Sequence, residues 1–99
     1  MATDKHSLIQ TLLLNKEKIM QYGVARLGLF GSFVRNEMNE KSDVDIMVDF
    51  QSGEKNFRNF ISLNYLLEEL TGRKVDVATK ESLTLHRAPK ILNETEYVL

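Results

Sequence analysis

Ser42-Asp43-Val44-Asp45-Ile46-Met47-Val48-Asp49-Phe50 alternates residue by residue, with Val44, Ile46, Val48 and Phe50 pointing one way and Asp43, Asp45, Met47 and Asp49 the other. A period of two sustained over this length predicts a strand with one face against a core. Upstream, Val24 to Phe30 reads as a shorter strand interrupted by Gly28. Downstream, Val75 to Thr79 reads as a third strand, with Val75 and Val77 opposite Asp76. Helical spacing surrounds them. From about Asp4 to Tyr22, Leu8, Ile9, Leu12 and Leu13 share a face that Ile19 and Met20 extend, with Asp4 or Thr3 as cap and Gly23 as stop. Ser32 to about Glu37 fits a short helix. Phe57, Phe60, Ile61, Leu67 and Leu70 mark a long one closed by Gly72, and Pro89 falls in the first turn of a last helix reaching Glu94, before an extended tail from Tyr97 to Leu99. The order αβαβαβα predicts an α+β, two-layer fold: a small mixed sheet of about three strands with helices on one face.

The 99 residues suffice for a single domain, 1–99, whose 42% hydrophobic content supports one modest core. Thirteen basic and fourteen acidic residues leave a net charge of -1, which argues against a surface built for DNA or an anionic membrane. The absence of cysteine excludes disulfides and thiolate metal sites. No apolar run approaches the ~18 residues of a membrane span, and the N-terminus lacks the apolar stretch of a signal peptide. The expected location is the cytoplasm.

Aspartate is disfavoured in strands because it solvates its own backbone and packs poorly on a pleated surface. Asp43 and Asp45, at i and i+2, project from one face about 7 Å apart along the chain. Like charges this close repel, and a hard divalent cation with oxygen ligands is the economical compensation; Mg²⁺ takes one or two carboxylates plus phosphate oxygens. If the valines of both strands face the helices, Asp76 joins Asp43 and Asp45 on the opposite face, and three carboxylates could hold the two Mg²⁺ ions used for displacement at phosphorus. An isolated Asp-x-Asp is ordinarily a pair of solvated charges. Its company here is Gly31-Ser32, which follows an apolar strand and precedes a helix: glycine admits a phosphate close to the backbone, Ser32 adds a hydroxyl, and a helix start supplies free N–H groups. A Gly-Ser turn alone is ordinarily just a cap. Together the two motifs describe a phosphate cradle facing a metal site.

Gly31-Ser32-Phe33-Val34-Arg35, the gap of roughly ten residues, and Asp43-Val44-Asp45 on a strand resemble the signature of the DNA polymerase β-like nucleotidyltransferase superfamily, with Asp76 where a third acidic residue belongs. The match spans roughly Val24 to Thr79 and is similar in particular to the minimal nucleotidyltransferases (MNT); Arg87 to Glu94 resembles the end of MNT chains more weakly. The resemblance implies the polymerase β-like fold, ATP as substrate, and Asp43 and Asp45 as ligands of Mg²⁺. It implies Asp76 as a further ligand that helps deprotonate an acceptor hydroxyl, and Gly31 and Ser32 as holders of the β- and γ-phosphates. Arg35 could reach a phosphate or pair with Glu37 or Asp49. Asn36 stands where many relatives have glycine, and asparagine tolerates the left-handed backbone that position needs. Lys41 and Arg73 flank the motifs and could assist the triphosphate, His6 and His86 read as isolated surface residues, and Phe57 with Phe60 as helix core.

The implied activity is transfer of a nucleoside monophosphate, AMP from ATP, to a hydroxyl. MNT proteins commonly pair with HEPN-domain toxins and act as antitoxins by adenylylating a tyrosine of the partner, so the resemblance also implies a HEPN-type partner. This chain has no acceptor-binding domain of its own, and homo- or hetero-oligomers both remain open. The alternatives are a non-catalytic antitoxin that only covers its partner, with a vestigial nucleotide site, and a transferase acting on a small molecule.

Overall fold

The computed structural model describes residues 4–83, 86 and 88–99. Thr3, the alternative cap, and Arg87, which opens the closing segment, lie outside the described residues. The elements run α1 (Lys5–Leu14), α2 (Lys16–Met20), β1 (Val24–Phe30), a 3-10 turn (Gly31–Phe33), β2 (Val44–Phe50), α3 (Phe57–Thr71), β3 (Val75–Ala78), a second 3-10 turn (Lys80–Ser82), α4 (Ala88–Glu94) and β4 (Glu96–Tyr97). The sheet is mixed, in the order β3-β2-β1-β4. β1 is antiparallel to both β2 and β4, while β2 and β3 are parallel across the α3 crossover. The α+β reading holds, with one strand added: the expected C-terminal tail pairs with β1 through Gly28↔Tyr97 and Leu29↔Glu96. Gly28 makes this possible without interrupting β1. A Cβ there would come within 2.8 Å of Thr95 Cγ2, so only glycine lets the last segment lie so close.

The main core lies between one sheet face and the first three helices. Leu8 and Leu12 of α1, Ile19 of α2 and Leu63 and Leu67 of α3 close over Val24, Leu27, Leu29, Val44, Ile46, Val48 and Val75. The alternation of β2 thus puts its valines and isoleucine inside, as predicted.

Three details depart from the sequence reading. The helix expected from Asp4 to Tyr22 breaks at Asn15, whose Nδ2 donates to the Thr11 carbonyl and whose backbone leaves helical angles (φ -111°, ψ 21°). Asparagine competes for the backbone in this way. Leu13, expected on the buried face, is 49% exposed, and α1 buries only Leu8 and Leu12. Phe57, expected in the core, is 80% exposed in the first turn of α3, whose buried residues Leu63, Leu67 and Thr71 all lie further along the helix. The expected Ser32–Glu37 helix shortens to the single 3-10 turn. The caps behave as predicted: Asp4 accepts from the Ser7 N–H at 2.8 Å, and Gly72 ends α3 at φ 69°.

The second sheet face carries a smaller cluster. Ile91 of α4 packs on Phe30 and Met47, with Ala78 and Leu83 at its edge. Met47 therefore shares the aspartate face of β2 and is nonetheless fully buried. This partial cover takes water away from one side of the carboxylates. Among the described residues no helix is long and apolar enough to cross a membrane.

Candidate active site

Parallel pairing of β2 with β3 sets Asp45 directly beside Asp76. Asp43 lies two residues before Asp45, at the mouth of β2, and both Asp76 and Asp43 act electrostatically on Asp45. Burial, then the charges of Asp76 and Asp43, push the Asp45 carboxyl up to about 6 from an ordinary 3.8, against a smaller opposing pull from Arg35. The three aspartates singled out in the sequence are thus brought into one field. Among the described residues, no three acidic or imidazole groups close into a cage able to hold an ion unaided. Mg²⁺ needs only one or two carboxylates and completes its shell with phosphate oxygens and water. The donor set is all hard oxygen, with Asp45 half-buried directly beside Asp76, so the residues present fit the ion.

The raised group makes a pH prediction. Between about pH 4 and pH 6 the folded chain retains a proton on Asp45 that the unfolded chain has released. Stability from this group is therefore present at low pH and falls as pH rises through that window. At pH 7.5, Asp45→Asn should melt higher than the parent by roughly 4 °C, the counterpart of about 1 kcal/mol after discounting for a half-exposed carboxylate. Mg²⁺ should raise the parent's melting temperature and leave the variant's unchanged. Differential scanning fluorimetry from pH 4 to 8 checks both; parallel profiles for parent and variant would contradict the assignment.

The Gly31-Ser32 turn stands against Asp45. Gly31 adopts φ +77°, and a Cβ there would overlap the Asp45 carboxylate. The turn therefore needs glycine twice, for its backbone and for the approach of the acid. Ser32 is half-buried, and its hydroxyl makes no hydrogen bond with the described residues. Asn36, in the place of the relatives' glycine, has φ 58°, the left-handed backbone expected of it.

Phe30, Gly31, Arg35 and Asp45 form one wall of a cavity of about 330 Å³. The other wall comes from the C-terminal segment: His86, Lys90, Ile91 and Glu94. Glu94 accepts from the Gly31 N–H at 2.8 Å and, through both oxygens, from Arg35 Nη1 at 3.1 Å. Arg35 also donates from Nε to Glu37 at 3.3 Å. Its expected alternative, Asp49, lies nearest Lys80 instead, at 3.9 Å.

Glu94, Lys90 and His86 form the wall that the sequence does not reveal. The one signal for Lys90 and Glu94 is the closing segment's likeness to MNT chains, which assigns no role, while His86, read as an isolated surface residue, stands on this wall. Arg73, weighed as a triphosphate aid, donates from Nη1 to the carbonyls of Asn39 and Ser42 at 2.8 and 3.0 Å and lies over the Phe33 ring. It braces the loop that delivers Asp43.

The nucleotidyltransferase domain family matches residues 13–98. The protein adenylyltransferase MntA of Thermococcus cleftensis is 45% identical over 83 residues, covering 84% of this chain and 83% of that one. A Methanocaldococcus jannaschii chain provisionally named a protein adenylyltransferase is 43% identical over 81 residues, 82% of this chain and 86% of its own. Among solved structures, one provisionally named a minimal nucleotidyltransferase superposes with a TM-score of 0.72 at 29% identity, covering 89% of this chain and 93% of that one. A toxin–antitoxin crystal structure with AMP-PNP superposes at 0.70 with 16% identity, over 92% of this chain and 72% of that one, and at that identity shows the shared fold alone. A family match along nearly the whole length, on a fold that sets an acidic pair beside a Gly-Ser turn, makes this chain a member of the nucleotidyltransferase domain family and an enzyme of that class.

Proposed function

We propose that this chain transfers AMP from ATP to a hydroxyl of a partner protein, specifically a tyrosine of a HEPN-type toxin, and thereby acts as a cytoplasmic antitoxin. The observation that carries the reading is the pairing of Asp45 with Asp76 across β2 and β3, with Asp45 and Gly31 lining one cavity. Support for AMP and for a protein acceptor comes from the adenylyltransferase MntA, 45% identical. A solved toxin–antitoxin of the same fold supports the partnership.

In this reading Asp43, Asp45 and Asp76 hold Mg²⁺, two ions when the site is full, and the metal supplies charge neutralisation for the triphosphate. Ser32 and the turn it sits in bind the phosphates that leave, and Arg35 adds a cation beside them. The acceptor oxygen forms its bond to the α-phosphorus as the bond to the β-phosphate oxygen breaks. Pyrophosphate departs, and the acceptor's proton passes to Asp76. Catalysis of this kind is positioning and electrostatics, which a rigid strand pair supplies.

The test is direct. The chain is incubated with the protein encoded by the adjacent reading frame, Mg²⁺ and ATP, and the neighbour is weighed by intact-mass spectrometry. A gain of one or more AMP units is expected, mapped to tyrosine by fragmentation. A stable complex with no gain in mass overturns the enzymatic reading in favour of an antitoxin that acts by covering its partner.

A further inference from the structure

Glu94 has no place in the proposed transfer chemistry, yet its carboxylate is the most connected anion beside the cavity. One oxygen accepts from the Gly31 N–H, both accept from Arg35 Nη1, and the side chain is only 17% exposed. We propose that Glu94 is a positioning residue for nucleotide binding, which ties the C-terminal helix to the phosphate turn and holds the Arg35 guanidinium oriented towards the triphosphate. The inference rests on the assignment of Gly31, Ser32 and Arg35 to the phosphates.

An anion on these donors has two physical meanings. It could stand in the nucleotide's place and leave when a phosphate arrives, or it could belong to the scaffold. The surroundings favour the scaffold. Glu94 is held from both sides: Ile91, one turn earlier, is buried against Phe30 and Met47, and Glu96–Tyr97 is already in the sheet. Thr95 adds two hydrogen bonds to the Ile91 carbonyl, from its N–H at 3.0 Å and its hydroxyl at 2.6 Å. A side chain so anchored is a poor plug.

Donors for a phosphate also remain after Glu94 has taken its share. Arg35 Nε goes to Glu37 and Nη1 to Glu94, which sets the plane of the guanidinium and leaves Nη2 unpaired among the described residues. The Ser32 hydroxyl is open in the same sense. Phosphates can therefore bind without evicting the carboxylate.

The experiment measures binding of AMP-PNP with Mg²⁺ by isothermal titration calorimetry, and ATP turnover in parallel, for the parent, Glu94→Gln, Arg35→Ala and the double variant. Glu94→Gln should weaken AMP-PNP binding about tenfold, the size expected for a charge-assisted hydrogen bond to an ionised partner. The KM for ATP should rise with it while kcat stays within about twofold. In the Arg35→Ala background the same change should weaken binding by less than about threefold, because the effect travels through Arg35. Tighter binding in Glu94→Gln would overturn the proposal and identify the carboxylate as a stand-in for phosphate. Unchanged binding, or effects of Glu94 and Arg35 that multiply in full, would overturn it as well. Should Glu94→Gln not fold, Glu94→Asp keeps the charge and shortens the reach, and carries the same expectation at smaller size. Nucleotide binding without turnover in the parent would count against the catalytic reading and leave this inference testable; no nucleotide binding at all would sink both.

Discussion

Changing Asp43 and Asp45 together to asparagine leaves a chain that folds at least as well as the parent and transfers AMP at less than a thousandth of its rate. Asparagine preserves the size and most of the hydrogen bonding of aspartate while deleting its charge. The loss therefore reports on what the charge does. In the proposed role the two carboxylates neutralise a metal-bound triphosphate, and removing preorganised electrostatic partners of this kind costs about 3–4 kcal/mol of barrier, on the order of a thousandfold. Stability moves the other way. The half-buried Asp45 carboxylate is disfavoured by burial and by its acidic neighbours, with its pKa pushed up to about 6. Its neutral replacement removes that penalty. Incorporation of label from α-phosphate-labelled ATP into the partner measures the first effect, and a thermal melt the second. An inactive variant that melts well below the parent would mean that the aspartates serve the fold.

Gly31→Ala is expected to lower AMP transfer about a hundredfold, and Gly53→Ala is its control. Both glycines have positive φ, +77° and +80°. Each substitution therefore carries a similar backbone strain of about 1–2 kcal/mol. They differ in what the new methyl group meets. At Gly53 nothing lies within 4 Å, whereas at Gly31 it overlaps the Asp45 carboxylate. Asp45 belongs to a central strand and its side chain is short, so the carboxylate must rotate away or the turn must shift. Either motion separates the turn proposed to bind phosphate from the acid proposed to bind metal, and displacements of about 1 Å cost on the order of a hundredfold. Gly31→Ala should lose more stability than Gly53→Ala in a denaturant melt, and only the first should lose activity. Equal activities would show that the turn and the acid need not be so close.

Much of this is legible in the sequence, because the chemistry lies where local rules are strongest. Alternation over Val44–Phe50 and Val75–Ala78 names two strands by period alone, and the outward Asp45 and Asp76 then follow from parity. The pairing that brings them side by side is not readable, since register depends on which strands become neighbours. Gly31-Ser32 is visible as a turn of the right kind. Its contact with Glu94, 63 residues on, is not: no local rule couples a loop to a helix end that far away. Phe57 misleads for a related reason. Helical spacing says which residues share a face and leaves open how far the neighbouring layer extends, and the layer ends before the first turn of α3. Met47 shows the converse, a residue counted on the polar side that a late helix covers. The short β4 escapes notice because two residues carry no period; Gly28 is its trace, read as an interruption where it is a clearance.

Arg73 joins two parts of the site that the chain reaches separately. Its backbone stands three residues before Asp76, and its guanidinium grips the Ser42 carbonyl, one residue before Asp43. Nearby, the Val44 N–H donates to the Lys74 carbonyl at 2.9 Å. One cation thus works as a rivet between two acids on different strands, so that their spacing is a property of the joint more than of the loop between them.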